Sequence, residues 1–209
     1  MDFRNASFPS RRNVLQMLPA VGIATLSLAA FSAAPAHART SAADFAVELG
    51  GKVIALARSN ASDARLKRQF LNLLTRSADI RAVARFALGK YRRRMPKELM
   101  PEYYRLVLDY IAGLFVWYRK DLAAQDIRAV KQHTRGAWTT VETRLVFDDG
   151  KTSPVLWRIY TGGGPLRVGD LNIRGIWLSL RMRDKFVSIL NKSGGDFDAL
   201  LNYLRENAA

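Results

Sequence analysis

Pro165 to Leu190 reads PLRVGDLNIRGIWLSLRMRDKFVSIL, and two periodicities meet inside it. Up to Ile173 the residues alternate, with Gly169, Leu171 and Ile173 on one side and Val168, Asp170 and Asn172 on the other, the pattern of a half-buried strand. Gly175 marks a turn, and a second short apolar run follows it. Past that run the period lengthens: Phe186, Val187, Ile189 and Leu190 recur at helical spacing while Arg181, Arg183, Asp184 and Lys185 keep the opposite side in water. One segment therefore ties a sheet to a helix lying on it.

Upstream, Val155, Trp157 and Ile159 alternate against Leu156, Arg158 and Tyr160. Before them, Val141, Leu145 and Phe147 alternate against Glu142, Arg144 and Asp148. Asp148-Asp149-Gly150-Lys151 and Thr161-Gly162-Gly163-Gly164-Pro165 have the composition of turns. With Ile127–Thr134 ahead and Leu166–Arg174 behind, the pattern predicts a meander of about four antiparallel strands, twisted and apolar on one face. Helices come before and after it. The fold class is therefore α+β, a curved antiparallel sheet with helices packed across its concave face.

The helices read as follows. Ala42–Ser59 carries a loose apolar stripe (Phe45, Leu49, Val53, Leu56) in which Gly50-Gly51 predicts a break. Ser62 or Asp63 can cap a second helix with Leu66, Phe70, Leu73, Leu74 and Ser77 on one face. Asp79 can cap a third, lined by Ile80, Val83, Ala84, Ala87 and Leu88 and followed by the basic run Lys90-Tyr91-Arg92-Arg93-Arg94. Pro101 suits the first turn of the longest helix, in which Leu106–Tyr118 is apolar nearly all the way round. A helix of that kind needs partners on several sides, and its short amphipathic neighbours offer few, so part of it is expected to face a cavity. Asp196 caps a final helix with Phe197, Leu200, Leu201 and Leu204 on its stripe.

Residues 1–38 have a different character. Arg4, Arg11 and Arg12 precede an Ala/Leu-rich run that ends in Ala36-His37-Ala38, the layout of an export signal cleaved after Ala38. Ser10-Arg11-Arg12-Asn13-Val14-Leu15-Gln16 is similar to the twin-arginine signature; a general secretory signal or an uncleaved anchor are the alternatives. The domain proper is then 39–209. Of 33 basic and 18 acidic residues the signal removes three and one, leaving 30 against 17, a net charge of +13. Such a surface favours anionic partners, nucleic acid or acidic headgroups, and an exported protein seldom meets nucleic acid.

Catalytic chemistry has few candidates. There is no cysteine, and of two histidines only His133 stays in the mature chain. Thiol chemistry and zinc clusters are excluded, and a serine triad would depend on His133, which reads as a solvated strand residue. The Gly-rich stretch lacks the lysine and the strand-to-helix setting of a phosphate cradle. A small hydrolase or isomerase on a cone-shaped sheet would need Asp170 as its acid or base; otherwise Asp170 holds a loop or strand end by hydrogen bonding, or faces solvent. No metal or cofactor is called for.

Asp79-Ile80-Arg81-Ala82-Val83-Ala84-Arg85-Phe86-Ala87-Leu88-Gly89-Lys90-Tyr91-Arg92 resembles the D-[FI]-x-x-[IV]-A-R-F-x-L-G-x-Y-W segment of the MlaC family, the toluene-tolerance or Mla phospholipid-binding family. Val168-Gly169-Asp170-Leu171, Gly175-Ile176-Trp177-Leu178 and Arg183-Asp184-Lys185-Phe186 are similar to its V-x-D-V, G-[IV]-S-L and R-x-x-F, in the same order and spacing. Leu166, Trp157, Trp177, Met182 and Arg92 depart from its usual residues. The resemblance implies a monomeric periplasmic carrier with phospholipid as cargo, an auxiliary component of an ABC transport system that maintains outer-membrane asymmetry. Its partners would be an inner-membrane transporter complex and an outer-membrane lipoprotein/porin complex. A hopanoid-associated branch of the family is an alternative cargo class. Acyl tails need apolar area, so the walls are expected to include Val83, Phe86, Ala87, Val107, Tyr110, Ile111, Leu114, Val141, Leu145, Trp157, Ile159, Leu171 and Ile173. Arg81, Arg85, Lys90, Arg92, Arg93 and Arg94 are expected near the mouth, for docking partners or headgroups.

Overall fold

Alternation over Asp126–Ile173 produces four strands, and the turn at Gly175 adds a short fifth. β1 (Asp126–Arg135), β2 (Trp138–Val146), β3 (Thr152–Tyr160), β4 (Arg167–Ile173) and β5 (Ile176–Trp177) form one open antiparallel sheet in chain order. The computed structural model describes residues 40–208; the export signal, its twin-arginine pair and the cleavage site at Ala38 lie outside the described residues. Six helices accompany the sheet among those residues: α1 (Ala42–Arg58), α2 (Asp63–Ser77), α3 (Ile80–Ala87), α4 (Met100–Tyr118), α5 (Leu178–Lys192) and α6 (Phe197–Glu206). The fold is α+β as expected, with five strands rather than four. β5 is missed in the sequence because two residues are too few to show a period. It exists because Arg174 (φ 53°) and Gly175 (φ 84°) both take left-handed conformations and close a two-residue hairpin that pairs Ile173 with Ile176.

The strand register collects apolar residues on one face. Val141 pairs with Trp157 and Trp157 with Leu171, while Val155 pairs with Ile173. A bulge between Arg158 and Ile159 then sets Ile159 opposite Val168. Gly169 is the extra residue, so Val168 joins the face of Leu171 and Ile173 instead of the Asp170 side that simple alternation assigns it. Val168 accordingly sits in the apolar cluster beneath the sheet. His133 is exposed on β1, and the Asp148–Lys151 stretch is a turn.

The break expected at Gly50-Gly51 does not occur, and α1 runs unbroken from Ala42 to Arg58. Its glycine has a packing purpose. A Cβ on Gly50 would lie 2.4 Å from Ile127 Cδ1 and 3.3 Å from Trp157 Cζ2, so the missing side chain is what lets the helix lie directly on the sheet. Cap readings fare better: Asp79 accepts from the Ala82 amide at 3.0 Å and Asp196 from the Asp198 amide at 2.9 Å. Ser62 occupies its cap position without a side-chain bond.

Two apolar clusters result. One lies among α2 to α6 (Phe70, Leu106, Val107, Phe186, Leu200), the other between α1 and the sheet (Ala46, Leu49, Val141, Trp157, Ile159). They share Leu73 and Leu122 at their margins.

Asp170 links the layers. Its carboxylate accepts from Ser179 Oγ at 2.5 Å, from the Ser179 amide at 3.0 Å and from the Leu171 amide at 2.9 Å. Trp177, at the N-cap of α5, supplies no side-chain bond, so a carboxylate from β4 satisfies the first turn and faces the positive end of that helix. Replacing Ser179 by Ala should lower unfolding free energy by ~1.5–3 kcal/mol, because one lobe of a buried anion loses its donor. Urea denaturation measures this; an unchanged midpoint would show that Asp170 does not anchor α5.

Candidate functional site

The two apolar clusters leave a space between them. It has a volume of about 940 Å³ and is lined from both sides, near the upper end of the range for small-molecule sites. Ile54 from α1, Phe70 and Leu74 from α2, Val83 from α3, and Ile111 and Leu114 from α4 face Leu145, Val155, Trp157 and Leu171 of the sheet across it. The surplus of apolar surface on α4 is thus accounted for, since Tyr110, Ile111, Leu114, Phe115, Trp117 and Tyr118 border this space while Ala112 and Val116 pack into the helical core.

Of the thirteen wall residues expected from sequence, eight line the cavity: Val83, Tyr110, Ile111, Leu114, Leu145, Trp157, Leu171 and Ile173. Five do not. Ala87, Val107, Val141 and Ile159 are fully covered in the solid cores behind the walls, because a helix or strand that is apolar over a wide arc turns only part of it to the space. Phe86 points outward, is 42% exposed and lines a separate depression beside Arg85 and Arg183. The sequence missed Leu49, Gly50, Val53 and Ile54, which α1 contributes only because it continues through its glycines.

Polar groups within the wall are held by one another. Trp157 Nε1 donates to Thr143 Oγ1 at 2.9 Å, and that hydroxyl donates to the Val155 carbonyl at 3.2 Å. The hydroxyls of Tyr110 and Tyr203 meet at 3.4 Å. Burial, then the contact with Tyr203, pushes the Tyr110 phenol above its ordinary range, so it stays neutral. Asp170 borders the cavity, but its carboxylate is engaged by Ser179 and Leu171 as described. Among the described residues no cluster of His, Cys, Asp or Glu can hold a metal ion.

The mouth carries exposed wall residues. Trp117, 81% exposed, and Tyr118 end α4, and Ile176 stands on β5. Arg174 reaches from the β4–β5 turn to within 3.9 Å of Asp121, a link between two sides of the opening. Arg181 and Lys185 of α5 add positive charge. The six basic residues expected at the mouth lie elsewhere: none lines this cavity. Arg85, Lys90, Arg92 and Arg93 border a separate depression, Arg81 stacks 5.9 Å from the Tyr104 ring, and Arg94 lies 5.3 Å from that of Tyr91. The reason is helical phase, since Val83 of α3 faces the cavity and Arg81 and Arg85 cannot share its direction.

The sequence model of the MlaC protein family matches residues 50–206. Among solved structures, a phospholipid-binding protein from Ralstonia solanacearum, determined in complex with a phospholipid, superposes with a TM-score of 0.70. The two are 16% identical, and the alignment covers 80% of this chain and 97% of that one, a likeness of fold. No curated protein sequence matches. No helix among the described residues is long and apolar enough to cross a membrane.

Wall and core positions should respond oppositely to added volume. Leu114→Phe, entering free space, is expected to raise stability by ~0.5–1 kcal/mol while reducing uptake of an apolar fluorescent dye. Val107→Phe, in packed core, should cost about 1–3 kcal/mol. Denaturant melts and dye titration check both, and equal destabilisation by the two would mean that the space is not available to a ligand.

Proposed function

The chain belongs to the MlaC family, and on that premise we propose that its cavity holds the acyl tails of a phospholipid and that the protein carries lipid between membranes. The observation that carries this reading is the space itself, about 940 Å³, walled by two apolar cores. The polar atoms of Trp157 and Tyr110 in its wall are paired, with Thr143 and Tyr203. Each buried CH₂ is worth ~0.8 kcal/mol, so two acyl chains cost on the order of 20 kcal/mol to bring through water unaided. A carrier has to offer equivalent apolar surroundings, and tails ask for area and volume rather than directed hydrogen bonds. The printed description of the structural neighbour as a lipid-bound protein supports the same cargo.

In this reading the headgroup stays at the mouth among Arg174, Arg181 and Lys185, and the tails run inward past Leu114 towards Trp157. The protein is exported and works in the periplasm. It exchanges lipid with an inner-membrane ABC transporter complex and an outer-membrane lipoprotein/porin complex, as a monomer. The outward cations Arg81, Arg85, Lys90 and Arg92–Arg94 serve docking, where charge accelerates encounter more than it tightens the final complex. Catalysis by Asp170 is not favoured, because both its oxygens are occupied in holding β4 to α5. Release requires an external trigger, since the energy that retains the tails also forbids their escape into water.

Protein purified from membrane-containing cells should carry about one phospholipid, detected by native mass spectrometry and phosphorus analysis. Ile111→Asp or Leu145→Arg should reduce that content at least tenfold, since a charge facing the tails costs several kcal/mol. Solvent-exchanged protein that never takes up lipid would remove the carrier reading. Export supplies a second measurement: Arg11→Lys with Arg12→Lys should leave uncleaved precursor in the cytoplasm. Continued export through the general secretory route would overturn only the twin-arginine assignment.

A further inference from the structure

Five cations surround one depression on the outer side of the helical layer. Arg85 comes from α3, Lys90, Arg92 and Arg93 from the 3-10 turn that follows it (Gly89–Arg93), and Arg183 from α5; together they border about 360 Å³. Among the described residues none of the five has a carboxylate oxygen within 4.0 Å. Arginines elsewhere do find such partners, as Arg58 finds Asp148 at 3.1 Å and Arg205 finds Glu102 at 2.7 Å. The side chains lining the depression therefore supply donors and no anionic acceptor.

The arrangement is built into the fold. Gly89 has φ +53°, and a Cβ there would lie 2.9 Å from Val187 Cγ2 and 3.1 Å from Arg183 Nε. The glycine lets the turn press against α5 and sets Arg183 beside the turn's own cations. Phe86, one of the large apolar side chains left in water, offers its ring face to the Arg183 guanidinium at 5.3 Å. An arginine held in this way has lost much of the freedom it would otherwise surrender on binding. Like charges brought together without a counter-charge repel, so the folded state has something to gain from an anion here.

We propose that this depression is a binding site for a phosphate oxyanion, separate from the apolar cavity. Guanidinium forks match the oxygens of a phosphate pairwise, and several around one group suit a multiply charged anion better than chloride. The volume is too small and the lining too polar for acyl tails. The group arrives either as free phosphate or as the phosphodiester of an anionic phospholipid at a membrane surface. As a headgroup site it rests on the docking role proposed above; as an oxyanion site it stands on geometry alone.

Thermal unfolding of the purified protein in sodium phosphate and in sodium chloride at equal ionic strength tests it, with the double variant Arg93→Ser, Arg183→Met alongside. At about ten times its half-saturating concentration, phosphate should raise the wild-type midpoint by ~3–6 °C over chloride, and saturably. The variant should lose that increment. A rise that never saturates, or that is equal in wild type and variant, is a general salt effect on burial and overturns the site. Sedimentation with vesicles of phosphatidylcholine alone or mixed with phosphatidylglycerol separates the sources. Preferential binding to the mixed vesicles, lowered about tenfold or more in the variant, assigns the headgroup; phosphate stabilisation without vesicle preference assigns free phosphate. Lipid phosphorus measured in the same preparations after incubation with phospholipid keeps the readings apart, because protein that never takes up lipid yet still responds to phosphate removes the carrier reading and leaves this site standing.

Discussion

Two apolar cores that face each other without closing are the constraint on which the molecule depends. Protein interiors pack to the density of organic crystals, and uncovered apolar surface costs roughly 25 cal/mol per Å². A gap of about 940 Å³ between such surfaces persists only if the walls are tied at its edges and not across its centre. α1 is fixed to the sheet through the close approach at Gly50, and α5 to β4 through Asp170 and Ser179. The α2–α3 link is fixed to β4 by the Asp79 amide, which donates to the Val168 carbonyl at 3.0 Å. Each tie lies at an edge of the space and leaves its centre open. On the proposed reading acyl tails complete the core, so cargo and folding stability are coupled by mass action.

Much of this was legible in the sequence, for reasons that can be named. Period-2 alternation around Val141–Phe147 and Val155–Tyr160 has a single physical cause, one buried face, and it located two central strands within a few residues. The all-round apolarity of Leu106–Tyr118 signalled a helix with two apolar environments. Motif order in Asp79–Arg92 and Val168–Phe186 pointed to the family that the chain matches over residues 50–206. What stayed hidden depends on tertiary phase. Glycine in a helix reads as a breaker until one knows that Ile127 and Trp157 press against it. The bulge that swings Val168 to the inner face leaves no mark on composition. Val107 and Ile111 share a helix and a chemistry, and only packing decides that the first is core and the second is wall.

The same argument explains the misplacement of the basic cluster. Arg81 and Arg85 neighbour Val83 in sequence, yet neighbours on a helix point apart. α3 and α5 separate two sites of opposite character: Val83 and Met182 face the apolar space, while Arg85 and Arg183 border the basic depression. Asp170 lies within β4, eight residues before α5 begins, and there its carboxylate meets the amide and hydroxyl of Ser179.

On the proposed reading this division decides how lipid handling responds to its surroundings. Retention in the apolar space is governed by transfer from water, which moderate salt hardly changes, whereas attraction at the outer depression decays over a Debye length of about 8 Å at physiological ionic strength. Holding and meeting are therefore set by different variables on one thin layer of helix. On the proposed reading, changing the cations alters where and how fast the protein docks without touching the walls. On the same reading, changing the walls alters what is carried without changing the field that a partner sees. Gly89 is the residue at which the two come closest to interfering, because any side chain there would displace Arg183 and Val187 together and shift α5, whose other face carries Met182 into the cavity wall.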